Sequence, residues 1–108
     1  MNIGQIAKMA QQMQTQMAQA QAELKETTLE ATAGGGAVRV VITGAQEVRA
    51  VEIDASAVDP DEVEMLQDLV MTAVNEAIAR SKELERERMG RIAGAMGVPG
   101  MPNLPGLG

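Results

Sequence analysis

The sequence predicts an α+β domain: a long N-terminal helix, a three-stranded antiparallel meander and a long C-terminal helix. Apolar residues in the first 26 positions recur at steps of three and four. Three short strand-like runs follow, joined by links too short for crossover connections. A helix-start signature at Asp59-Pro60 then opens a second amphipathic stretch.

The first helix is expected over 2–26, a stretch rich in Gln, Ala, Met and Lys, which are fair or good helix formers. Its apolar positions are Ile3, Ile6, Ala10, Met13, Met17, Ala20 and Leu24, at steps of 3, 4, 3, 4, 3 and 4. That spacing makes a narrow seam suited to packing against another helix. The other faces carry Gln5, Gln11, Gln12, Gln14, Gln16, Gln19 and Gln21. Gln amides pair with almost any polar partner, so this face is either simply solvated or a neutral contact surface.

Strands are expected at 28–33, 37–43 and 48–54. The first alternates weakly through Leu29, Ala31 and Ala33. The second, through Val38, Val40, Val41 and Ile42, is dense in β-branched residues, as a well-covered strand is. In the third, Val51 and Ile53 share one face, and Ala50, Glu52 and Asp54 the other. Gly34-Gly35-Gly36 is read as a flexible hairpin turn. A phosphate-cradling loop needs Gly at defined spacing and then a helix, whereas a strand-like run follows here. Gly44-Ala45-Gln46 turns the chain again.

In the second helix Asp59 is the expected N-cap, Pro60 the first helical residue and Glu62 the capping-box partner. Asp61, Glu62 and Glu64 complement the positive end of the helix dipole. The stripe Val63, Leu66, Leu69, Val70, Ala73, Val74, Ala77 and Ile78 is broad enough to cover a sheet. From Ala79 onward the residues are mostly charged, with Leu84 and Met89 the main apolar ones. A helix ending near Met89 is roughly 45 Å long at ~1.5 Å per residue, so its last turns are expected to project beside the first helix. One domain is thus expected over 1–90. A disordered tail without usable periodicity, dominated by Gly, Pro and Met, is expected over 91–108.

The chain has 108 residues, nine Met and no Phe, Tyr or Trp. A core of Val, Ile, Leu, Met and Ala buries less area per side chain than one with aromatics. Burial of a second surface against another copy is therefore expected, with a small but sufficient monomeric core as the alternative. The absence of His and Cys removes the usual zinc ligands, the nucleophilic triads and the neutral-pH proton shuttle. The carboxylate pairs Asp59/Asp61 and Glu62/Glu64 stand at i, i+2, a spacing that on a helix points them to different faces. They are read as a charged helix start rather than a metal or acid–base pair. No enzymatic activity, cofactor, metal or small-molecule substrate is expected. Residues 1–28 lack the apolar core of a signal peptide, and no run reaches the ~18 apolar residues of a membrane span. A cytoplasmic protein without a membrane partner is expected.

The net charge of −6 argues against nonspecific attraction to phosphate, but its distribution is uneven. Between Glu47 and Asp68 there are eight acids and one base, a net of −7; the remainder has eight bases and seven acids, a net of +1. The acidity is segregated.

Several runs carry a family resemblance: Ala10-Gln11-Gln12-Met13-Gln14, Val40-Val41-Ile42-Thr43-Gly44, Val51-Glu52-Ile53-Asp54, and Glu64-Met65-Leu66-Gln67-Asp68-Leu69-Val70 followed by Asn75 and Ala77. In this order and spacing, with Met89 and the Met- and Pro-rich tail, the chain resembles the YbaB/EbfC family of bacterial nucleoid-associated proteins over nearly its whole length. The resemblance implies a protomer that dimerises through its sheet into a tweezer-like assembly. It further implies double-stranded DNA as partner, low sequence selectivity, phosphate contacts from helical arms and a nucleoid location. The arm bases are Lys8, Lys25, Arg80, Lys82, Arg86, Arg88 and Arg91. The chain departs from the family in having no charge between Gln11 and Ala22. A protein-interaction scaffold using Met- and Gln-rich arms is the alternative expectation.

Overall fold

The computed structural model describes residues 2–95. Its elements are α1 (Ile3–Glu26), β1 (Thr28–Ala33), β2 (Val38–Thr43), β3 (Val48–Ile53), a short 3-10 turn (Ala55–Ala57) and α2 (Val63–Ala95). The strands form one antiparallel sheet in the order β1-β2-β3, the expected meander.

Asn2 caps α1, its side chain accepting the Gln5 N–H at 2.7 Å. At the other end Thr27 leaves the helix in an extended conformation. The β1–β2 turn places Gly34, Gly35 and Gly36 all at positive φ, a conformation L side chains adopt only with strain. At the second turn the Gly44 N–H donates to the carbonyls of Leu24 (2.9 Å) and Thr27 (3.0 Å). A Cβ on Gly44 would stand 2.6 Å from Leu24 Cδ2, so only glycine lets the sheet approach the end of α1 this closely.

The first half of α2 crosses β1 and β2. Ala73 and Ala77 face Ala31, Ala33, Val38, Val40 and Ile42, all buried; alanine on the helix allows close approach to the sheet. Two bonds fix the orientation of α2. Arg80 Nη1 donates to the Glu30 carbonyl of β1 at 2.9 Å, and Ser81 Oγ donates to the Thr43 carbonyl at the end of β2 at 2.6 Å. One flank of the helix therefore looks toward β1 and the other toward the β2–β3 turn.

The stripe on α2 does not cover the whole sheet. A helix ~10 Å across cannot shield three strands ~4.8 Å apart and their side chains. The register pairs Val38 with Ile53, Val40 with Val51 and Ile42 with Val48, so all six point to the same face. The β2 residues are buried, whereas those of β3 are exposed.

Both ends of α2 differ from the sequence expectation. Asp59 and Pro60 form a tight turn, closed by the Glu62 N–H on the Asp59 carbonyl at 2.9 Å, and regular helix begins only at Val63. The helix passes through Gly90 and ends at Ala95, not near Met89. Ile92 is half-buried and Ala93 buried, so packing continues where glycine and proline had suggested a stop. Residues 91–95, placed in the expected tail, are thus helical; the rest of that tail lies outside the described residues. The strands begin and end within a residue of expectation.

Candidate nucleic-acid interface

The second half of α2 leaves the sheet and runs antiparallel beside α1, forming one arm. Along the seam Met13 and Met17 are half-buried, and Ala20 and Leu24 buried. The expected heptad seam is thus packed in its C-terminal half, while Ile3, Ile6 and Met9 are exposed.

At the root of the arm is a polar knot. Ser81, fully buried, accepts the Gln46 backbone N–H at 3.1 Å and its side-chain Nε2 at 2.8 Å, while donating to Thr43. Gln46 is the one non-glycine residue at positive φ among those described (61°). The knot ties α2 to the β2–β3 turn, and Gly44 ties that turn to α1. Together they fix where the arm leaves the sheet.

A shallow groove lies on each side of the α1–α2 seam. One is lined by Gln21, Gln46, Lys82, Glu85, Arg86 and Met89. The other is lined by Gln16, Gln19, Ala20, Glu23, Arg88, Arg91 and Ile92. The structure thus brings Lys82 together with Arg86, and Arg88 with Arg91. Lys8 stands apart toward the tip, beside Gln11, Gln12, Thr15 and Gln16. Lys25 lies in the last turn of α1, near the sheet.

These bases are not equally available. Arg80 holds the Glu30 carbonyl and pairs with Glu76 at 2.7 Å, so it serves the fold. Arg86 pairs with Glu83 at 2.7 Å, Arg91 with Glu87, and Arg88 with Glu23 across the helices at 3.8 Å. Lys8, Lys25 and Lys82 form no ion pair among the described residues. Surface pairs of this kind are worth ~0–1 kcal/mol each, so a phosphate can displace the carboxylate.

Arg39, not among the expected contacts, bridges Glu30 and Glu52 on the outer face of the sheet. Its hydrogen bond holds the Glu30 carboxyl below the usual glutamate range. A single base in a strand gives no hint in sequence that two acids from flanking strands will neutralise it.

The acids occupy the opposite end. Asp54, Asp59, Asp61, Glu62, Glu64 and Asp68 follow one another with no base between. They surround the end of β3 and the start of α2, while the arm leaves from the Thr43 end of the sheet. No helix is long and apolar enough to cross a membrane among the described residues.

Comparison with known proteins agrees with this architecture. A "Nucleoid-associated protein" from Acetivibrio thermocellus is 48% identical over 101 residues, covering 93% of this chain and 89% of that protein. One from Nocardia farcinica is 49% identical over 98 residues, covering 91% and 89%. The crystal structure of an uncharacterized protein from Helicobacter pylori superposes with a TM-score of 0.72 at 25% identity, covering 81% of this chain and 91% of that one. The profile of the YbaB/EbfC DNA-binding family matches residues 1–96, and the chain, a non-enzymatic protein, belongs to that family.

Proposed function

We propose that this protein binds double-stranded DNA as a homodimer, with low sequence selectivity, by setting the bases of its helical arms against phosphates. The observation that carries the reading is the division of charge along α2. The helix begins among six acids with no base between them and ends in an arm where Arg80 to Arg91 holds five bases and three acids, a net of +2. DNA is repelled at the sheet end and attracted at the arm, doubly so in a dimer.

Lys82 and Arg86 on one side of the seam, and Arg88 and Arg91 on the other, supply the cations; Lys8 extends the line toward the tip. Gln16, Gln19 and Gln21 line the same grooves, and their amides can donate to phosphate or sugar oxygens. Such contacts fix the protein on the duplex without reading base edges, which accounts for low selectivity. Because several arginines must leave a glutamate first, modest affinity with steep salt dependence follows. A nucleoid location, within the cytoplasm, follows from that partner.

The dimer is supported by the uncovered part of the sheet. Val48, Val51 and Ile53 are an exposed apolar strip on the face of the sheet that α2 packs against. On α2, Val74 and Ile78 are only half-buried at the edge of the same core. A second copy offers the same self-complementary surface and completes the core that one α2 is too narrow to close. Met13, Met17 and Met89 are half-buried along the arm, which favours DNA over a methionine-rich protein scaffold.

DNA binding across a salt series, with mass in solution measured alongside, tests the reading. Binding at low salt that weakens steeply as salt rises, by a species of twice the chain mass, is expected. A folded dimer that ignores DNA even at low salt would move the function to a protein partner.

A further inference from the structure

The bases of this protein divide by residue type. Every arginine stands within ion-pair distance of a carboxylate: Arg39, Arg49, Arg80, Arg86, Arg88 and Arg91. Lys8, Lys25 and Lys82 pair with no acid among the described residues, and all three are exposed.

The division has a cause in the sequence. On a helix an acid one turn before a base is well placed to pair with it, and the reverse order is weaker. Glu76, Glu83 and Glu87 stand one turn before Arg80, Arg86 and Arg91 and pair with them. Lys8 and Lys25 have no acid one turn away on either side. Lys82 has only Glu85, one turn after it and so in the weaker order. Glu85 lines the same groove as Lys82 and forms no ion pair among the described residues.

Of the three lysines, Lys82 is the one in a held position. It follows Ser81, which is fully buried and bonded to Thr43 and Gln46, so its backbone is tied to the sheet at the root of the arm. Arg86 and the Gln21 amide of α1 line the same groove. Gln46 Nε2 is taken up by Ser81 Oγ at 2.8 Å and the Gly44 carbonyl at 3.0 Å, which leaves Gln21 as the amide donor there. Lys8, by contrast, stands on the stretch of α1 where Ile3, Ile6 and Met9 are exposed, and Lys25 lines neither groove of the arm.

We propose that Lys82, with the Gln21 amide beside it, makes the principal phosphate contact of the arm, ahead of the arginines around it. The inference rests on the DNA reading above. Arginine is commonly the stronger phosphate ligand, since its fork bonds two oxygens at once. Here each arm arginine must first release a glutamate, which costs up to about five-fold in affinity. The released carboxylate then faces the phosphates. Lys82 gives up only water, and its ammonium neutralises a phosphate without uncovering an acid.

The test compares variants of the full-length protein that remove the same charge from an unpaired and from a paired base. Affinity for a mixed-sequence duplex is measured over a salt series for the native protein, Lys82→Gln, Lys82→Arg and Arg88→Gln. Lys82→Gln should lose roughly ten-fold or more at ~0.1 M salt, and its log–log salt slope should flatten by about one for each chain bound. Lys82→Arg keeps an unpaired charge and should keep the native slope. Arg88→Gln should lose clearly less than Lys82→Gln. Urea unfolding of Lys82→Gln should match the native protein, since the side chain is exposed. Native binding with Lys82→Gln no weaker than Arg88→Gln, or weakened without a change of slope, overturns the proposal alone. A native protein that ignores DNA even at low salt overturns the DNA reading and the proposal with it.

Discussion

β2 and β3 present the same kind of side chain to the same face, yet meet opposite surroundings. Val38, Val40 and Ile42 are 0% exposed, whereas Val48, Val51 and Ile53 are 41%, 45% and 41% exposed. Alternation along a strand specifies which face is apolar; it does not say what covers that face. In β2 the cover is α2 of the same chain. Among the described residues nothing covers β3, which is why the proposed function seeks its partner in another copy.

The heaviest penalty belongs to the closed side. Ile42→Ala should destabilise the fold by about 2–5 kcal/mol in urea unfolding, since the cavity lies under α2 with no room to collapse. A loss no larger than that of a surface residue would mean that α2 does not seal β2. Next comes the knot that holds α2 over β2. Ser81→Ala removes the hydroxyl that serves Thr43 and Gln46, and should cost ~1–2 kcal/mol. Hydrogen exchange should then rise first at the β2–β3 turn; an unchanged turn would mean that the knot does not hold it.

On the open side the same type of truncation should cost far less in the isolated chain. Ile53→Ala should lower protomer stability by no more than ~1 kcal/mol, because its surface is already partly in water. In the dimer the penalty should grow with protein concentration, as burial at an interface is linked to association. A penalty independent of concentration would assign Ile53 to the protomer alone.

The mildest change concerns the outer face of the sheet. Glu30 is held below its ordinary range by the hydrogen bond from Arg39, and Asp54 by the backbone N–H and then the hydroxyl of Ser56. Both carboxyls are lower in the folded state, so their contribution is present above the unfolded carboxylate range and lost as pH falls through the lowered values. Both are exposed, so solvent screens the effect. Glu30→Gln should make the acid limb of the stability curve slightly shallower and leave neutral pH nearly untouched; an unchanged acid limb would show that the bridge contributes nothing.

The helix, meander and helix were legible in the sequence because each has its own period, and the periods survive in the fold. The ends of α2 were not. Asp59 and Pro60 suit a turn as well as a helix start, since an Asp side chain can accept from the residue two positions on in either setting, as it does from Asp61 at 2.9 Å. Gly90 reads as a stop, but the ~1 kcal/mol cost of glycine in a helix is small beside continued packing at Ile92 and Ala93. In the candidate interface the basic residues were visible one by one, but their grouping was not. Arg80 differs from Arg86 only in what lies opposite: a β1 carbonyl in one case and open groove in the other. Ser81 gave no signal at all, being a lone small residue in a charged run whose partners are 35 and 38 positions away.

If the arm bases of a dimer meet DNA phosphates, affinity must depend on them and on salt together. The most direct test measures affinity for a mixed-sequence duplex over a salt series, for the native protein and for Arg86→Glu, Arg88→Glu, Arg91→Glu combined, with the mass of each determined in solution. The expected result is an unchanged dimer whose affinity collapses and whose log–log salt slope flattens by about one for each phosphate no longer neutralised. Unchanged affinity and slope in a folded dimeric variant would contradict the assignment of phosphate binding to the arm.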